Sequence, residues 1–406
     1  MIKLNPKREK SILRHHPWVF ASAIQEAEEN GKIQEVFSSE HEFLGWGYYD
    51  SETHIPLRML TYTKDYPNAT WWKTAIRESI KRRISFFNKN TPTTVFRIIH
   101  GEADFLPGIS ADIYCDTVRV IISSKIAYLI RQLIIDEITD FLSPHFIVLS
   151  TDPSFCNAEK IPETIEYYVN KKIVDIKEEG NEFLTKPVEI RENGILYNVI
   201  PGKGQKSGFY CDQRDNRNIV ESYAKGADVL DLCCYTGAFT FHALRGGAKS
   251  VTSLDVSKIA LNSLENNLNL NISKKILPAE CAEKVTLVQA DVFQAVHDIK
   301  DNKYNLIILD PPKMAKTVTT LNDARRGYKE LNRMVMSKIK SGGILVTCSC
   351  TGLLSREEFR TILAYASKDS GKDVRILHTL GQGEDHPVLL SFPESEYLKV
   401  YVLRVS

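Results

Sequence analysis

Three short stretches carry side chains able to do chemistry. In Thr347–Gly352 (T-C-S-C-T-G), Cys348 and Cys350 are two apart, so an extended chain points both to one side. A cysteine inside a strand is ordinarily buried filler. One held beside a carboxylate at a strand end is a nucleophile candidate. The carboxylate on offer is Asp310, which opens Asp310–Lys313 (D-P-P-K). Two prolines after a strand stiffen the backbone and remove N–H donors, leaving carbonyls to face a planar substrate. Cys350, Asp310, Cys348 and Lys313 form the catalytic candidate set. The third stretch is Asp228–Thr240 (D-V-L-D-L-C-C-Y-T-G-A-F-T), an apolar strand, a small-residue turn and the start of a helix. The vicinal Cys233 and Cys234 fall in that turn and are expected to pack there.

These stretches need a scaffold that brings them to one place. From Val188 onward, strands near 228–232, 251–255, 285–289, 304–310, 343–349, 372–378 and 397–404 alternate with helices. Such alternation predicts a mostly parallel sheet covered on both faces, with the last two strands as an antiparallel edge pair. A hairpin is expected at Val188–Pro201 around Asn193-Gly194, and Ser355 with Glu358 makes a capping box. Ligands of such sheets bind at the carboxyl ends of the strands. Asp231, Asp255, Asp291 and Asp310 each close a strand, which places four carboxylates on one rim. The first turn lacks G-x-G-x-x-G and holds only Gly237, so it is not built to wrap a pyrophosphate. Asp255, at the end of the second strand, suits ribose hydroxyls. Adenosine with a compact charged tail, as in S-adenosylmethionine, is the ligand that fits.

Residues 1–67 read as a small β-rich module, with runs at Pro17–Ala21, Phe43–Tyr49 and Ile55–Tyr62. Its first segment carries Lys3, Lys7, Arg8, Lys10, Arg14, His15 and His16 against Glu9. This is either a solvated face or a phosphate-contacting patch with Trp18, Phe20 and Trp46 as stacking surface. Residues 68–187 read as a mixed α+β domain. Trp71–Asn88 is an amphipathic helix with Trp72, Ile76, Ile80, Ile84 and Phe87 on one face and Lys73, Arg77, Lys81, Arg82 and Arg83 on the other. Strands are expected at Thr94–His100, Val118–Ser123, Phe146–Ser150 and Ile173–Lys177, and a helix at Lys125–Leu142. Between them, His100–Gly108 reads as a surface loop; His100, Glu102 and Asp104 are too loosely spaced for a metal site.

The chain has 406 residues, 43% hydrophobic and 25% charged, with a net charge of +1, which excludes a bulk polybasic binder. The first residues lack the apolar core of a secretory signal. Val118–Ile138 is broken by Arg119, Lys125, Arg131 and Asp136, so it does not cross a bilayer cheaply. Eight cysteines without a C-x-x-C pair favour reduced thiols. A soluble, cytoplasmic, multidomain protein is expected.

The run D-L-C-C-Y-T-G-A-F-T resembles motif I of class I S-adenosylmethionine-dependent methyltransferases. Over nearly its full length the chain resembles the RlmI-type large-subunit ribosomal RNA cytosine-5 methyltransferases. The resemblance is carried by Lys7–Phe20, Gly101–Asp112, Lys206–Arg217 (K-S-G-F-Y-C-D-Q-R-D-N-R), D-P-P-K, Arg325–Asn332 (R-R-G-Y-K-E-L-N) and Asp385–Pro387 (D-H-P). It implies a PUA-like RNA-binding domain over 1–67 and a Rossmann-like methyltransferase domain with a seven-stranded sheet over 188–406. It also implies S-adenosylmethionine as cofactor, 23S ribosomal RNA as partner, a homodimer and no metal. Tyr235, Thr236 and Gly237 would hold the methionine end, with Gln213 and Arg214 near them and Asp231 in the same cofactor set. Asp255 would bind the ribose, Asp291 the adenine edge, and Asp310 would lie between cofactor and base. The family's S-C-S/T-G cysteine matches Cys350, while Cys348 takes the T-C-S position of related enzymes, and D-P-P-K lacks the second cysteine that many carry. Two rivals remain: an amino-group methyltransferase acting on guanine or adenine, and an RNA-binding protein with an inactive methyltransferase fold.

Overall fold

Alternating apolar positions in the first sixty residues pair into a six-stranded sheet: β1 Ile2–Leu4, β2 Trp18–Val19, β3 Ile24–Ala27, β4 Lys32–Phe37, β5 Phe43–Tyr49 and β6 Leu57–Thr61, in the order β2-β6-β5-β4-β1-β3. Ile2, Leu4, Val36, Leu57 and Met59 close its core, with Ile12 from the short helix α1 (Lys10–Leu13). The structure, a computed structural model, describes residues 1–87, 92–175, 186–201, 208–315 and 317–406. Asn88, the end of the expected strand Ile173–Lys177, and Lys206 and Ser207 lie outside them. The chain divides into two units: Met1–Ile190 with Val199–Cys211 and Asp385–Ser395, and Arg191–Asn198 with Asp212–Glu384 and Glu396–Ser406.

The first unit holds a second six-stranded sheet of β7 Val95–His100, β8 Ile109–Tyr114, β9 Thr117–Ile122, β10 Phe146–Thr151, β11 Ile165–Val169 and β12 Lys172–Ile173, paired in reverse sequence order. Helix α2 (Ala69–Phe86) buries Trp72, Ile76 and Ile80 in the same core as Ile98, Val118 and Ile147. One apolar position differs from expectation, since Ile84 is 37% exposed, while Phe87, just past the helix, packs against the core. The expected helix 125–142 is two, α3 (Lys125–Leu129) and α4 (Arg131–Leu142), broken at Ile130, where Arg131 Nη1 donates to the Tyr128 carbonyl. Strands β8 and β11 and helix α5 (Pro153–Glu159) add to the elements expected from the sequence.

Two electrostatic expectations also change. The basic face of α2 is matched to acids: Lys73 and Arg77 to Glu137, Lys81 to Glu78, and Arg82 and Arg83 to Asp104. His100–Gly108 is no surface loop. Asp104 is buried and accepts from both Arg83 terminal nitrogens, at 2.7 and 2.8 Å, and from the His100 backbone N–H. Glu102 takes Arg58 and the Trp18 indole, each at 2.9 Å. Trp18 is thereby committed, and Trp46 donates to the Lys64 carbonyl. Lys7, Arg8, Lys10 and Arg14 are exposed and form no ion pair among the described residues.

The two-stranded hairpin (β13 Val188–Glu192, β14 Ile195–Val199) is divided between the units, and the second unit forms one sheet of β15 Asp228–Leu232, β16 Ser250–Asp255, β17 Val285–Gln289, β18 Leu306–Leu309, β19 Gly343–Ser349, β20 Val374–Leu380 and β21 Lys399–Val405. The order is β17-β16-β15-β18-β19-β21-β20, and β21 runs antiparallel to both neighbours. The helices are α6 (Arg214–Tyr223), α7 (Ala238–Arg245), α8 (Lys258–Ser273), α9 (Cys281–Lys284), α10 (Val292–Asp298), α11 (Leu321–Lys338) and α12 (Arg356–Ser370). Apolar residues of α11 and α12, such as Leu331, Val335 and Phe359, pack with Leu309, Leu345 and Tyr401. Strand order reverses at the β15–β18 pair, the position where open sheets leave a ligand crevice.

Candidate active site

The β15–α7 turn is held in a tight, costly shape. Cys233 (φ 63°), Tyr235 (φ 50°) and Gly237 (φ 87°) all lie in the left-handed region. The two non-glycine residues cost on the order of 1–3 kcal/mol each. Hydrogen bonds hold them: Cys234 N–H to the Leu254 carbonyl, Tyr235 N–H to Asp255 Oδ2, and Gly237 N–H to the Cys234 carbonyl, each 2.9 Å. At Gly237 a Cβ would stand 2.4 Å from Leu264 Cγ, so only glycine fits. Thr236 is buried and Tyr235 half-buried.

The carboxylates occupy different depths. Asp255 is half-buried and accepts from Tyr235 N–H and, at 2.8 Å, from Ser257 N–H. Asp291 is exposed and caps α10 through Phe293 N–H at 2.9 Å. Asp231 departs from the expected rim of four. It is fully buried under the turn, accepting from Thr240 Oγ1 at 2.7 Å, with no partner for Oδ1 among the described residues. Burial, with the charges of Asp310 and Asp255, pushes its carboxyl up to about 7. Burial chiefly, then Asp310, Asp255, Asp231 and Asp291 together, push the Cys233 thiol up, so all four acids act on this turn. Asp231, Asp255 and Asp291 enter no ion pair among the described residues. The crevice is therefore an anionic cradle suited to a cation.

Register carries the remaining groups to the same end of the sheet. Leu232 pairs with Leu309 and Leu309 with Thr347, so Asp310 follows β18 between the turn and the β19 cysteines. Gln213, buried just before α6, donates to Asp310 Oδ2 at 3.0 Å, and Asn216 donates to Gln213 Oε1 at 2.6 Å. Arg214 is buried beside Asp215, with Nε 3.3 Å from Oδ1. Cys348 is fully buried; burial, then the Asp310 charge, hold its thiol well above the usual range. Cys350 lies just past β19 and is half-buried. Lys313 is exposed.

The segment after Cys350 is clamped from three sides. Thr351 Oγ1 meets Tyr328 Oη at 2.9 Å and accepts from Met314 N–H at 3.2 Å, while its carbonyl accepts from Lys399 Nζ at 2.7 Å. Asn216, Thr351 and Lys399 were missed from sequence. A lysine within the apolar run L-K-V-Y-V-L was the available signal for the last. In the first unit, Asp112, Cys211 and His386 bring potential ligand atoms within 4.8 Å of one another. Both Asp112 oxygens already face the Arg97 guanidinium, at 2.8 and 3.0 Å, which opposes a cation there.

Residues 2–62 match a family model described as a PUA-like domain, and residues 177–367 one described as an S-adenosylmethionine-dependent methyltransferase. A curated relative from Pseudoalteromonas atlantica, named Ribosomal RNA large subunit methyltransferase I, is 36% identical over 410 residues, covering 100% of this chain and 99% of the relative. Namesakes from Alteromonas mediterranea and Shewanella amazonensis are 34% and 33% identical, covering 99% and 100% of this chain and 98% and 99% of their own. Among solved structures, a Streptococcus mutans protein provisionally described as a SAM-dependent methyltransferase aligns with a TM-score of 0.81 at 21% identity, covering 100% of both chains. A second, provisionally described as a methyltransferase and complexed with SAH, aligns equally well at 22% identity and covers 100% of both chains. Among the described residues no helix is long and apolar enough to cross a membrane.

Proposed function

Because the chain belongs to the ribosomal RNA large subunit methyltransferase I family, we propose that it methylates carbon 5 of a cytosine in large-subunit ribosomal RNA, with Cys350 as the nucleophile. In this reading residues 1–67 are the RNA-binding PUA-like part, 68–187 an α+β middle domain and 188–406 the methyltransferase. The exposed Lys7, Arg8, Lys10 and Arg14 are the phosphate-contacting groups of the first part.

The residues present fit S-adenosylmethionine. The turn's carboxylates answer its positive charges, and Asp255 at the end of β16 stands where ribose hydroxyls are held. Tyr235, Thr236 and Gly237 border the methionine end, Asp291 the adenine edge, and Gln213 and Arg214 flank them.

Carbon 5 of cytosine is a weak nucleophile, so a covalent step is needed. The Cys350 thiolate adds its electron pair to carbon 6, and the 5,6 π pair moves into the ring. Asp310, protonated or hydrogen-bonded at N3, offsets the charge that develops there, and the Pro311 and Pro312 carbonyls accept from the exocyclic amine. When bound, S-adenosylmethionine would supply the electrophilic methyl for carbon 5, with S-adenosylhomocysteine as the leaving group. Loss of the carbon-5 proton to a base returns its pair to the ring, and the carbon–sulfur bond breaks with its pair back on Cys350. The target base must be unstacked to reach such a site.

The observation that carries the assignment is the contrast between the two cysteines. Cys348 is fully buried with its thiol pushed far up, whereas Cys350 is half-buried past the strand end. Nucleoside mass mapping of ribosomal RNA incubated with S-adenosylmethionine and wild-type, Cys350→Ala or Cys348→Ala protein tests it. We expect 5-methylcytosine to vanish only for Cys350→Ala. Full activity of that variant, or a methyl on an exocyclic amine, would sink the covalent reading. No S-adenosylmethionine binding by calorimetry would favour the inactive-fold rival.

A further inference from the structure

We infer that Lys399 is a positioning residue whose buried ammonium serves as the counter-ion of the Cys350 thiolate. The inference rests on the reading of Cys350 as nucleophile and adds the group that makes its anion accessible.

Lys399 opens β21 and pairs with Ser349 of β19, one residue from Cys350. Neighbouring strands lie about 5 Å apart, so this register sets the lysine beside the cysteine's backbone. Its side chain has 0% exposure. Nζ donates to the Thr351 carbonyl at 2.7 Å and to the Tyr397 carbonyl at 3.0 Å. It forms no ion pair among the described residues. A charged ammonium held in the interior by carbonyls alone is an expensive arrangement. Such a cation calls for an anion.

The groups that face Lys399 narrow the choice. The charges that act on it most strongly are those of Cys350, Glu396, Arg356 and Lys313. Glu396 is committed to Arg356, whose Nε and Nη2 lie at 2.8 and 2.7 Å. Lys313 is a like charge on an exposed side chain. A Cys350 thiolate is the other anion that acts on the lysine. On the cysteine's side stand Tyr328 and Cys348, both held in their neutral forms chiefly by burial, and Asp310, whose charge works against a second anion nearby. Burial lowers the lysine to about 8, with Cys350 pulling in the opposite direction, so the ammonium persists at neutral pH. The same two hydrogen bonds fix the Thr351 backbone, so charge and position are delivered together.

The test reads the thiol directly, without RNA. Full-length protein is alkylated with iodoacetamide across pH 6–10, and modification at Cys350 is resolved by peptide mass spectrometry, with exposed Cys115 as internal reference. Replacing Lys399 with methionine (Lys399→Met) is expected to raise the Cys350 midpoint by about one pH unit or more, the usual effect of losing an opposite charge at this range. Lys399→Arg is expected to hold the midpoint near wild type. The Cys115 midpoint stays fixed, and S-adenosylmethionine affinity by calorimetry verifies the fold of each variant. An unchanged Cys350 midpoint in Lys399→Met overturns the inference, whatever the arginine variant does. Methylation by Cys350→Ala separates the two readings: if it retains activity while Lys399→Met shifts the midpoint, the nucleophile reading fails and the ion pair stands.

Discussion

Gln213 Nε2 donates to Asp310 Oδ2 at 3.0 Å, and Asn216 fixes the amide's orientation by donating to Gln213 Oε1 at 2.6 Å and to the Gly381 carbonyl at 2.9 Å. Two residues, Asn216 of α6 and Gln213 at its entry, thus help set where the carboxylate of the post-β18 loop points. A hydrogen bond to a charged group is worth roughly 1.5–3 kcal/mol. Gln213→Leu should therefore lower kcat by about 10–100-fold while the thermal midpoint moves little. Steady-state methyl transfer beside a melting curve checks this, and an unchanged kcat would count against the relay.

Gly237→Ala tests the turn. The added Cβ meets Leu264 Cγ at 2.4 Å and forces a side chain into φ 87°. Overpacking of a tight core costs about 1–3 kcal/mol, and relaxing it moves the backbone that borders the methionine end. We expect a lower unfolding midpoint and at least tenfold weaker S-adenosylmethionine binding by calorimetry. Gly237→Ala with wild-type affinity would show that the turn is not part of the cofactor site.

Asp231 makes stability depend on pH in an unusual direction. Its carboxyl is raised from 3.8 to about 7 by burial, so between those values the folded state binds more protons than the unfolded one. Its contribution is fully present below about 4 and is lost as pH rises through 7. Asp231→Asn removes the titration and should stabilise the ligand-free protein more at pH 8 than at pH 5, by about 2–3 kcal/mol. Urea unfolding at both pH values reads the difference, and an equal effect at both would contradict it.

Glu192 and Glu221 set the acid limit. Burial alone would raise the Glu192 carboxyl, but the Arg217 guanidinium, whose Nη1 reaches both its oxygens at 2.6 and 2.7 Å, and His242 hold it below the usual range. Glu221 is likewise brought to about 2, burial being outweighed by its hydrogen bonds to His242 and Arg245. Lowered carboxyls stabilise above their unfolded values near 4.5, and that stability is lost as pH falls toward 2. Glu192→Gln leaves Arg217 buried without its anion and should cost about 3–5 kcal/mol. Acid titration by circular dichroism should then show unfolding at a higher pH than wild type.

The sequence by itself determined the second unit's architecture, because strand–helix alternation is local and its periodicity survives without knowledge of partners. The seven strands fall close to their expected places, and D-L-C-C-Y-T-G, D-P-P-K and T-C-S-C-T-G mark three strand ends that the sheet order then gathers. Depth was decided only by tertiary structure. Asp231 and Asp255 look equivalent in sequence, yet one sits beneath the turn and the other beside it, since packing of α7 on β15 is not written in spacing. The five bases of α2 read as a free cationic face until Glu78, Glu137 and Asp104 arrived to neutralise them. Cys348 and Cys350 share a side by alternation, but the end of β19 falls between them and leaves one sealed and the other half-buried. Lys399 is the clearest case: a lone lysine in an apolar strand stands out in sequence, but its partner does not. Its register against Ser349 brings a buried ammonium to the Thr351 carbonyl, because antiparallel pairing joins residues fifty positions apart at the spacing of one strand.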